Sequence, residues 1–208
     1  NTALRGGGVF VAGQDSEFTL QGNATLSNNT AILGGGVYVG HSIIKEIIDG
    51  KEGTPNYYPA KFVINAGTIS SNTAKIPEQK DGESSNIDDV ISIGKYSVPK
   101  GGGVYCEGTL EMHSATIEKN TASQEEGGLG GGLYFDNGEI QAGDKPQSGI
   151  SDKRFSLTIG GDSDKNDNST FTKNKAAHGG AIEIQSKQGV NNIKISNTTF
   201  KENTASVN

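Results

Sequence analysis

A glycine-led apolar segment recurs five times along this chain and constrains its fold more than any other feature. The copies are GGGVFV, GGGVYV, GGGVYC, GGGLYF and GGAIEI, which begin at residues 6, 34, 101, 130 and 179. A short strand-like segment such as Val-Tyr-Val follows the glycines in each copy. The next recurring segments, such as FTL at 18–20 and LEM at 110–112, alternate with the period of two that is typical of a β-strand rather than a helix. A phosphate-binding loop would instead carry a Gly-Lys-Ser/Thr motif and lead into a helix. The triplets therefore indicate a repeated corner before a strand.

A second recurring element marks the length of the repeat. The tripeptide NTA begins at residues 1, 29, 72, 120 and 203, and the variant NKA begins at 174. The successive intervals are 28, 43, 48, 54 and 29 residues, which indicates a unit of 28 residues that carries insertions in three copies. Each unit holds a glycine-led strand, a second alternating strand, and a short strand that ends in the Asn turn. Three short strands per unit, separated by corners, predict one coil of a parallel β-helix.

The predicted fold is therefore an all-β solenoid, a parallel β-helix of about five coils with loop insertions. The first strands would place their alternating apolar residues inward, as stacked pairs: Val9/Val11, Val37/Val39, Val104/Cys106, Leu133/Phe135 and Ile182/Ile184. Glycine at the corners reaches positive φ and lets stacked backbones approach closely. The recurring Asn tolerates left-handed geometry and can bond from coil to coil. Cys106 is predicted to be a small buried hydrophobe rather than a reactive thiol.

Composition sets the broad class. Only 32% of the 208 residues are hydrophobic and 31 are glycine, which a fold with a narrow core of short strands can accommodate. The net charge of −6 and pI near 5.1 argue against a nucleic-acid partner, which needs clustered Lys and Arg. The single cysteine excludes an intrachain disulfide, and no apolar run is long enough for a transmembrane segment. We expect residues 1–208 to form one repeat domain that is an excerpt of a longer protein.

Four insertions interrupt the repeat, at residues 41–60, 75–100, 136–154 and 162–168. Binding residues are often carried on such loops, held by a rigid scaffold. The last insertion reads DSDKNDN, with oxygen-bearing side chains at alternate positions, a spacing that can wrap a calcium ion. Its candidate ligands are Asp162, Asp164, Asn166 and Asn168. A solvated polar loop explains the same residues. Glu83, Asp88 and Asp89 in the 75–100 insertion are candidates for a second site, and a solvated charged loop is again the alternative.

An aromatic column is predicted on the outer face of the first sheet. Phe10, Tyr38, Tyr105 and Tyr134 lie between the inward residues of successive first strands, and Glu183 takes this position in the last copy. Such a column can be a platform for a sugar or a protein partner, with Tyr38, Tyr105 and Tyr134 as the ligand surface. The alternative is a stacking ladder that stiffens the sheet beneath the insertions.

These motifs resemble a known family. GGAI at 179–182, with FTKN at 171–174 and FKEN at 200–203, is similar to the paired motifs of the polymorphic outer membrane protein repeats, GGA followed by an aliphatic residue and Phe-x-x-Asn. Most units here have GGG instead of GGA, and Leu26, Ile69 and Ile117 replace the Phe. The resemblance implies a right-handed parallel β-helix at the bacterial cell surface or outside the cell, of the kind that autotransporter-like adhesins carry as a passenger, with a host or cell-surface glycan or protein as partner.

Two further function classes remain open. Parallel β-helices also include polysaccharide lyases and hydrolases, whose sites need clustered carboxylates on an exposed sheet. The strand positions of this chain carry few charges, chiefly Glu111, Glu183 and Lys194, and no Trp is present. A non-catalytic carbohydrate-binding module that uses the tyrosines is the other alternative. A non-enzymatic adhesive scaffold without a required cofactor, apart from a possible calcium ion, is the leading hypothesis.

Overall fold

The computed structural model of the chain describes residues 1–77, 97–136, 155–161, 167–185 and 192–206. All regular elements in these ranges are β-strands. Twenty of the strands form four parallel sheets of five strands each, and the other two form an antiparallel hairpin. Among the described residues, no helix is long and apolar enough to cross a membrane.

The strands follow one another in five coils. Coil 1 holds β1 (Val9–Val11), β2 (Glu17–Leu20), β3 (Thr25–Ser27) and β4 (Thr30–Ala31), and coil 2 holds β5 (Val37–Val39), the hairpin β6 (His41–Ile48) and β7 (Lys51–Pro59), β8 (Lys61–Ile64), β9 (Thr68–Ser70) and β10 (Thr73–Ala74). Coil 3 holds β11 (Val104–Cys106), β12 (Thr109–Met112), β13 (Thr116–Glu118) and β14 (Thr121–Ala122). Coil 4 holds β15 (Leu133–Asp136), β16 (Ser156–Ile159), β17 (Ser169–Thr172) and β18 (Lys175–Ala176). Coil 5 holds β19 (Ile182–Gln185), β20 (Asn192–Ile195), β21 (Thr198–Lys201) and β22 (Thr204–Ala205).

Equivalent strands of successive coils pair in parallel, so the predicted β-helix is confirmed. The first sheet has the order β1-β5-β11-β15-β19, and the other three repeat this coil order. In the first sheet Val37 pairs with Val104, and Val104 pairs with Leu133. Because the register joins equivalent residues, each inward position becomes an apolar column along the core.

Apart from the hairpin strands of coil 2, each coil contains four strands, not the three predicted from the sequence. The segment that follows the second strand, such as TLSNNTA, divides into β3 and β4 because Asn28 adopts a left-handed backbone conformation with φ of 56°. Equivalent corners occur at Ser71, Lys119, Lys173 and Glu202, with φ between 54° and 57°. The left-handed residue therefore precedes the recurring Asn, and the expectation that the Asn itself takes this conformation is wrong.

The recurring asparagines form a continuous ladder instead. The side-chain Nδ2 of each Asn donates to the Oδ1 of the Asn in the next coil, at distances of 2.9 to 3.1 Å. The backbone N–H of four of these residues donates to the same oxygen at 3.0 Å. The predicted coil-to-coil bonding is confirmed, and it satisfies polar groups that the turn would otherwise bury unpaired.

The glycine corners have the expected geometry. The first glycine of each triplet has positive φ, from 58° to 66°. The second glycine faces the next coil, and a Cβ on Gly102 would lie 2.4 Å from the carbonyl oxygen of Gly131. The same distance recurs for Gly7, Gly35 and Gly131. A side chain at this second position would collide with backbone, so the triplets are required by close stacking of the coils.

The main apolar cluster lies inside the coils and is made from the inward residues of the first three sheets. Val37, Val104 and Leu133 are fully buried in it, and so are Phe62 and Phe171. Cys106 is also fully buried, and desolvation raises the pKa of its thiol to about 12. The prediction of a small buried hydrophobe at this position is confirmed.

Candidate functional sites

The predicted aromatic column is present on the first sheet. The ring centroids of Phe10 and Tyr38 lie 5.1 Å apart, those of Tyr38 and Tyr105 also 5.1 Å, and those of Tyr105 and Tyr134 lie 5.2 Å apart. Interplanar angles of 2°, 5° and 12° make the rings nearly parallel. The column follows directly from the register, which pairs Phe10 with Tyr38 and Tyr105 with Tyr134.

The column is not an open ligand surface. Tyr38, Tyr105 and Tyr134 have exposed fractions of only 3%, 2% and 0% and pack with Ile32 and Leu33 in a second apolar cluster. A sugar or protein cannot lie on rings that are buried to this extent. The geometry instead fits the alternative, a ladder of stacked rings that stiffens the sheet.

Glu107, which the sequence reading did not single out, lies beside the hydroxyl groups of the two central rings of this column. The hydroxyl of Tyr38 donates to Glu107 Oε2 at 2.9 Å, and the hydroxyl of Tyr105 donates to Glu107 Oε1. Glu107 is 4% exposed, and Asp136 one coil further on is equally buried. Tyr134 donates to Gln185 Oε1 at 2.8 Å in the last coil. The result is a buried polar row in register with the aromatic column.

Charges around the column shape its electrostatics. Desolvation, and next the negative charge of Glu107, raise the pKa of Tyr105 well above its ordinary value. Desolvation, followed by the charge of Asp136, also raises the pKa of Tyr134. Cations cover two of the rings, because Lys100 Nζ lies 4.9 Å from the Tyr134 centroid and Arg5 Cζ lies 5.5 Å from that of Tyr38. The phenols of Tyr105 and Tyr134 are therefore held in their neutral form.

The 41–60 insertion is a β-hairpin. Strands β6 and β7 join through Asp49 and Gly50, whose positive φ values of 52° and 74° suit a two-residue hairpin turn. Ala60 N donates to Gly40 O at 2.9 Å and closes the base of the hairpin onto the coil. His41 Nδ1 lies 3.9 Å from Glu107 Oε2, so the hairpin base contacts the buried polar row.

Three isoleucines of the hairpin strand β6 are exposed to solvent: Ile43, Ile44 and Ile47. Their exposed fractions are 49%, 40% and 75%. Lys45 forms an ion pair of 2.9 Å with Glu52 across the two strands. Exposed apolar side chains with polar and charged residues around them are typical of a protein-binding surface.

The proposed calcium ligands are only partly within the described residues. Asp162, Asp164 and Asn166 lie outside them, as do Glu83, Asp88 and Asp89. The carbonyl of Asn168 accepts a hydrogen bond from the Ser114 hydroxyl at 3.4 Å, and Asp167 Oδ2 lies 3.4 Å from His113 Nδ1. Within the described ranges no three His, Cys, Asp or Glu side chains converge on a common metal position. Calcium binding by this loop stays a prediction.

The comparison with protein families identifies one segment. Residues 168–185 match the Chlamydia polymorphic membrane protein repeat. Within this repeat Phe171 lies in the core, Asn174 belongs to the asparagine ladder, and Gly179 forms the left-handed corner. The match supports the resemblance in the motifs and, at a coarse level, an outer-membrane or surface protein of bacteria.

The matched segment spans the last two strands of coil 4 and the first strand of coil 5. The other coils have the same strands in the same register although the family match does not extend to them. No curated protein and no solved structure gives a significant match to the chain.

Proposed function

We propose that this chain is a non-enzymatic segment of a bacterial surface protein, whose β-helix holds side structures out toward a protein partner on a host or neighbouring cell. The supporting observation is the hairpin of β6 and β7. Its two strands leave the regular coil between Val39 and Lys61 and place Ile43, Ile44 and Ile47 in solvent. Exposed apolar residues on a hairpin lower the solubility of a protein. Their presence is accounted for if a partner covers them on binding.

The rod itself suits a scaffold. Each coil is bonded to its neighbours through four parallel sheets and the asparagine ladder. Such stacked repeats hold a fixed shape, because each coil contacts its neighbours along its whole length. A rigid rod keeps the β6–β7 hairpin at a fixed distance and orientation from the point where the rod is attached.

A binding experiment tests this proposal. Fluorescently labelled protein is titrated onto cultured epithelial cells and onto immobilised extracellular-matrix proteins. The triple variant Ile43→Ser, Ile44→Ser and Ile47→Ser should weaken saturable binding by about tenfold or more, since truncated central apolar contacts dominate interface energies. The control Ile195→Ser changes an isoleucine of similar exposure, 41%, in the last coil and should bind as the wild type does. Equal binding by the triple variant would contradict the proposal.

The positions of the carboxylates favour a binding role over the polysaccharide lyase or hydrolase alternative. Glu107 and Asp136 are each only 4% exposed, and Glu111 on the second sheet forms an ion pair of 2.9 Å with Lys61. A glycosidase needs two carboxylates that reach the substrate. The test is incubation with a panel of polysaccharides, for which we expect no new reducing ends; their release would overturn the non-enzymatic assignment.

The carbohydrate-binding alternative rests on the three tyrosines, whose burial weighs against it. A glycan array separates the two binding roles. Glycan binding that is lost in both Tyr105→Ala and Tyr134→Ala, while the hairpin variant retains it, would replace the proposal with a carbohydrate-binding one.

A further inference from the structure

Glu107 is a buried carboxylate that a scaffold function does not require. Taking a carboxylate out of water is unfavourable unless partners compensate the lost hydration. Both of its oxygens accept hydrogen bonds from phenol groups, Oε2 from Tyr38 and Oε1 from Tyr105. Two phenol-to-carboxylate hydrogen bonds therefore hold Glu107 in place, and such bonds allow a proton to move from a phenol to the carboxylate.

The hydrogen bonds define a path for a proton. A buried phenol that loses an electron becomes strongly acidic, and it must transfer its proton to a nearby base to form a neutral radical. Tyr105 is 2% exposed, so bulk water is not that base. Its bonded neighbour Glu107 Oε1 is in place before the electron leaves, which is the arrangement that positioned proton acceptors use in catalysis.

The stacked rings define a path for the electron. Centroids 5.1 and 5.2 Å apart and nearly parallel planes bring the π systems of Tyr38, Tyr105 and Tyr134 into contact. When one ring loses an electron, an electron from the neighbouring ring can replace it, so the electron hole moves along the stack. Lys100 lies over Tyr134 and Arg5 over Tyr38, and a nearby positive charge makes electron loss from those two rings harder. We therefore expect the electron hole to be most stable on the ring between them, that of Tyr105.

We propose that Tyr105 and Glu107 form a proton-coupled site of one-electron oxidation, served by the stacked tyrosines. Its substrate class is small one-electron oxidants, such as the azide or carbonate radical. The oxidant gains one electron, the O–H bond of Tyr105 breaks, and the proton moves to Glu107 Oε1. The products are a neutral phenoxyl radical and a carboxylic acid. A one-electron donor such as ascorbate reverses the step, and the proton returns from Glu107 to the phenolate oxygen.

Pulse radiolysis of the full chain with the azide radical tests the location of the radical. Phenoxyl formation is followed by its absorbance, and the radical is then identified by electron paramagnetic resonance. Tyr105→Phe retains the stacked ring but not the phenol, and it should remove most of the long-lived phenoxyl signal. Tyr58→Phe, which alters a hairpin tyrosine outside the column, should leave that signal unchanged. Equal losses in these two variants would overturn the proposal.

The role of the base has its own test. Glu107→Gln should slow phenoxyl formation at Tyr105 by at least about tenfold, because a positioned proton acceptor contributes a factor of this order or more. Glu111→Gln, which changes a carboxylate on the neighbouring sheet, should leave the rate unchanged. An unaltered rate in Glu107→Gln would refute the assignment of Glu107 as the base. Circular dichroism shows whether each variant folds, and the comparison of Tyr105→Phe with Tyr58→Phe decides the proposal even if Glu107→Gln does not fold.

Discussion

Substitution of Asn120 by Ala should destabilise the protein more than the equivalent substitution in the last coil, Asn203→Ala. Asn120 is fully buried in the middle of the asparagine ladder. Its Nδ2 donates to Asn174 Oδ1 at 3.1 Å and to the carbonyl of Ile69 at 2.9 Å. Its Oδ1 accepts from the backbone N–H and the Nδ2 of Asn72, both at 3.0 Å. The substitution removes all four hydrogen bonds at once.

The size of the effect follows from these contacts. At about 1 kcal/mol for each hydrogen bond, the loss is about 4 kcal/mol of the free energy of unfolding. The backbone N–H of Asn72 and the carbonyl of Ile69 lose a partner in a place that water does not reach, which adds to this figure. Urea denaturation followed by far-ultraviolet circular dichroism measures the change, with the slope of the transition as a check on the unfolded state.

Asn203→Ala is the matched control. Asn203 ends the ladder, where it donates to the carbonyl of Phe171 and accepts from Asn174. It is only half-buried, so water can replace its partners, and we expect a loss of about 1 kcal/mol. If the two substitutions cost the same, or if Asn120→Ala costs less than its control, the ladder does not stabilise the coils as described.

Three further predictions concern the core, the cysteine and calcium. Phe171→Ala should cost about 4 kcal/mol in urea denaturation, since a buried ring leaves a cavity, whereas Phe200→Ala, at 47% exposure, should cost less than half as much. Equal costs would contradict the burial pattern. The Cys106 thiol, with its pKa raised to about 12, should react with an aromatic disulfide reagent at pH 8 at least about a hundredfold more slowly in the folded protein than in urea. Rapid labelling of the native protein would refute this. If DSDKNDN binds calcium, a chelator should lower the melting temperature, because an ion that binds only the folded state stabilises it. An unchanged melting temperature would exclude a structural ion.

The repeat could be predicted from the sequence because its signals are local. The glycine triplets mark corners, the alternation marks strands, and equivalent positions such as Val37 and Val104 pair as their place in the repeat requires. The fourth strand was missed because the corner before it uses residues without a left-handed preference, such as Ser71 and Lys119. Stacking of the coils on both sides, and not the residue itself, holds those positions in the left-handed conformation.

The candidate sites were harder to predict. The hairpin was expected only as an insertion, although Asp-Gly at 49–50 is a known signal for a two-residue hairpin turn. The tyrosine column was predicted correctly, but its burial depends on packing with Ile32 and Leu33. Glu107 gives no local sign of its role. Its partner Tyr38 lies 69 residues away in sequence and becomes its neighbour only when the coils stack.

A spin-label distance across the coils tests the central claim, that equivalent residues of all five coils lie in one column. Thr25 pairs with Thr68, Thr68 with Thr116, Thr116 with Thr170, and Thr170 with Thr199. Both end residues of this column are exposed and suitable for labelling as Thr25→Cys and Thr199→Cys, with Cys106→Ala to remove the native thiol. Four steps of about 4.8 Å place their Cα atoms about 19 Å apart. A double electron–electron resonance distance near this value agrees with the stacked coils, and one of about 40 Å or more, more than twice the span of four strand spacings, would contradict them.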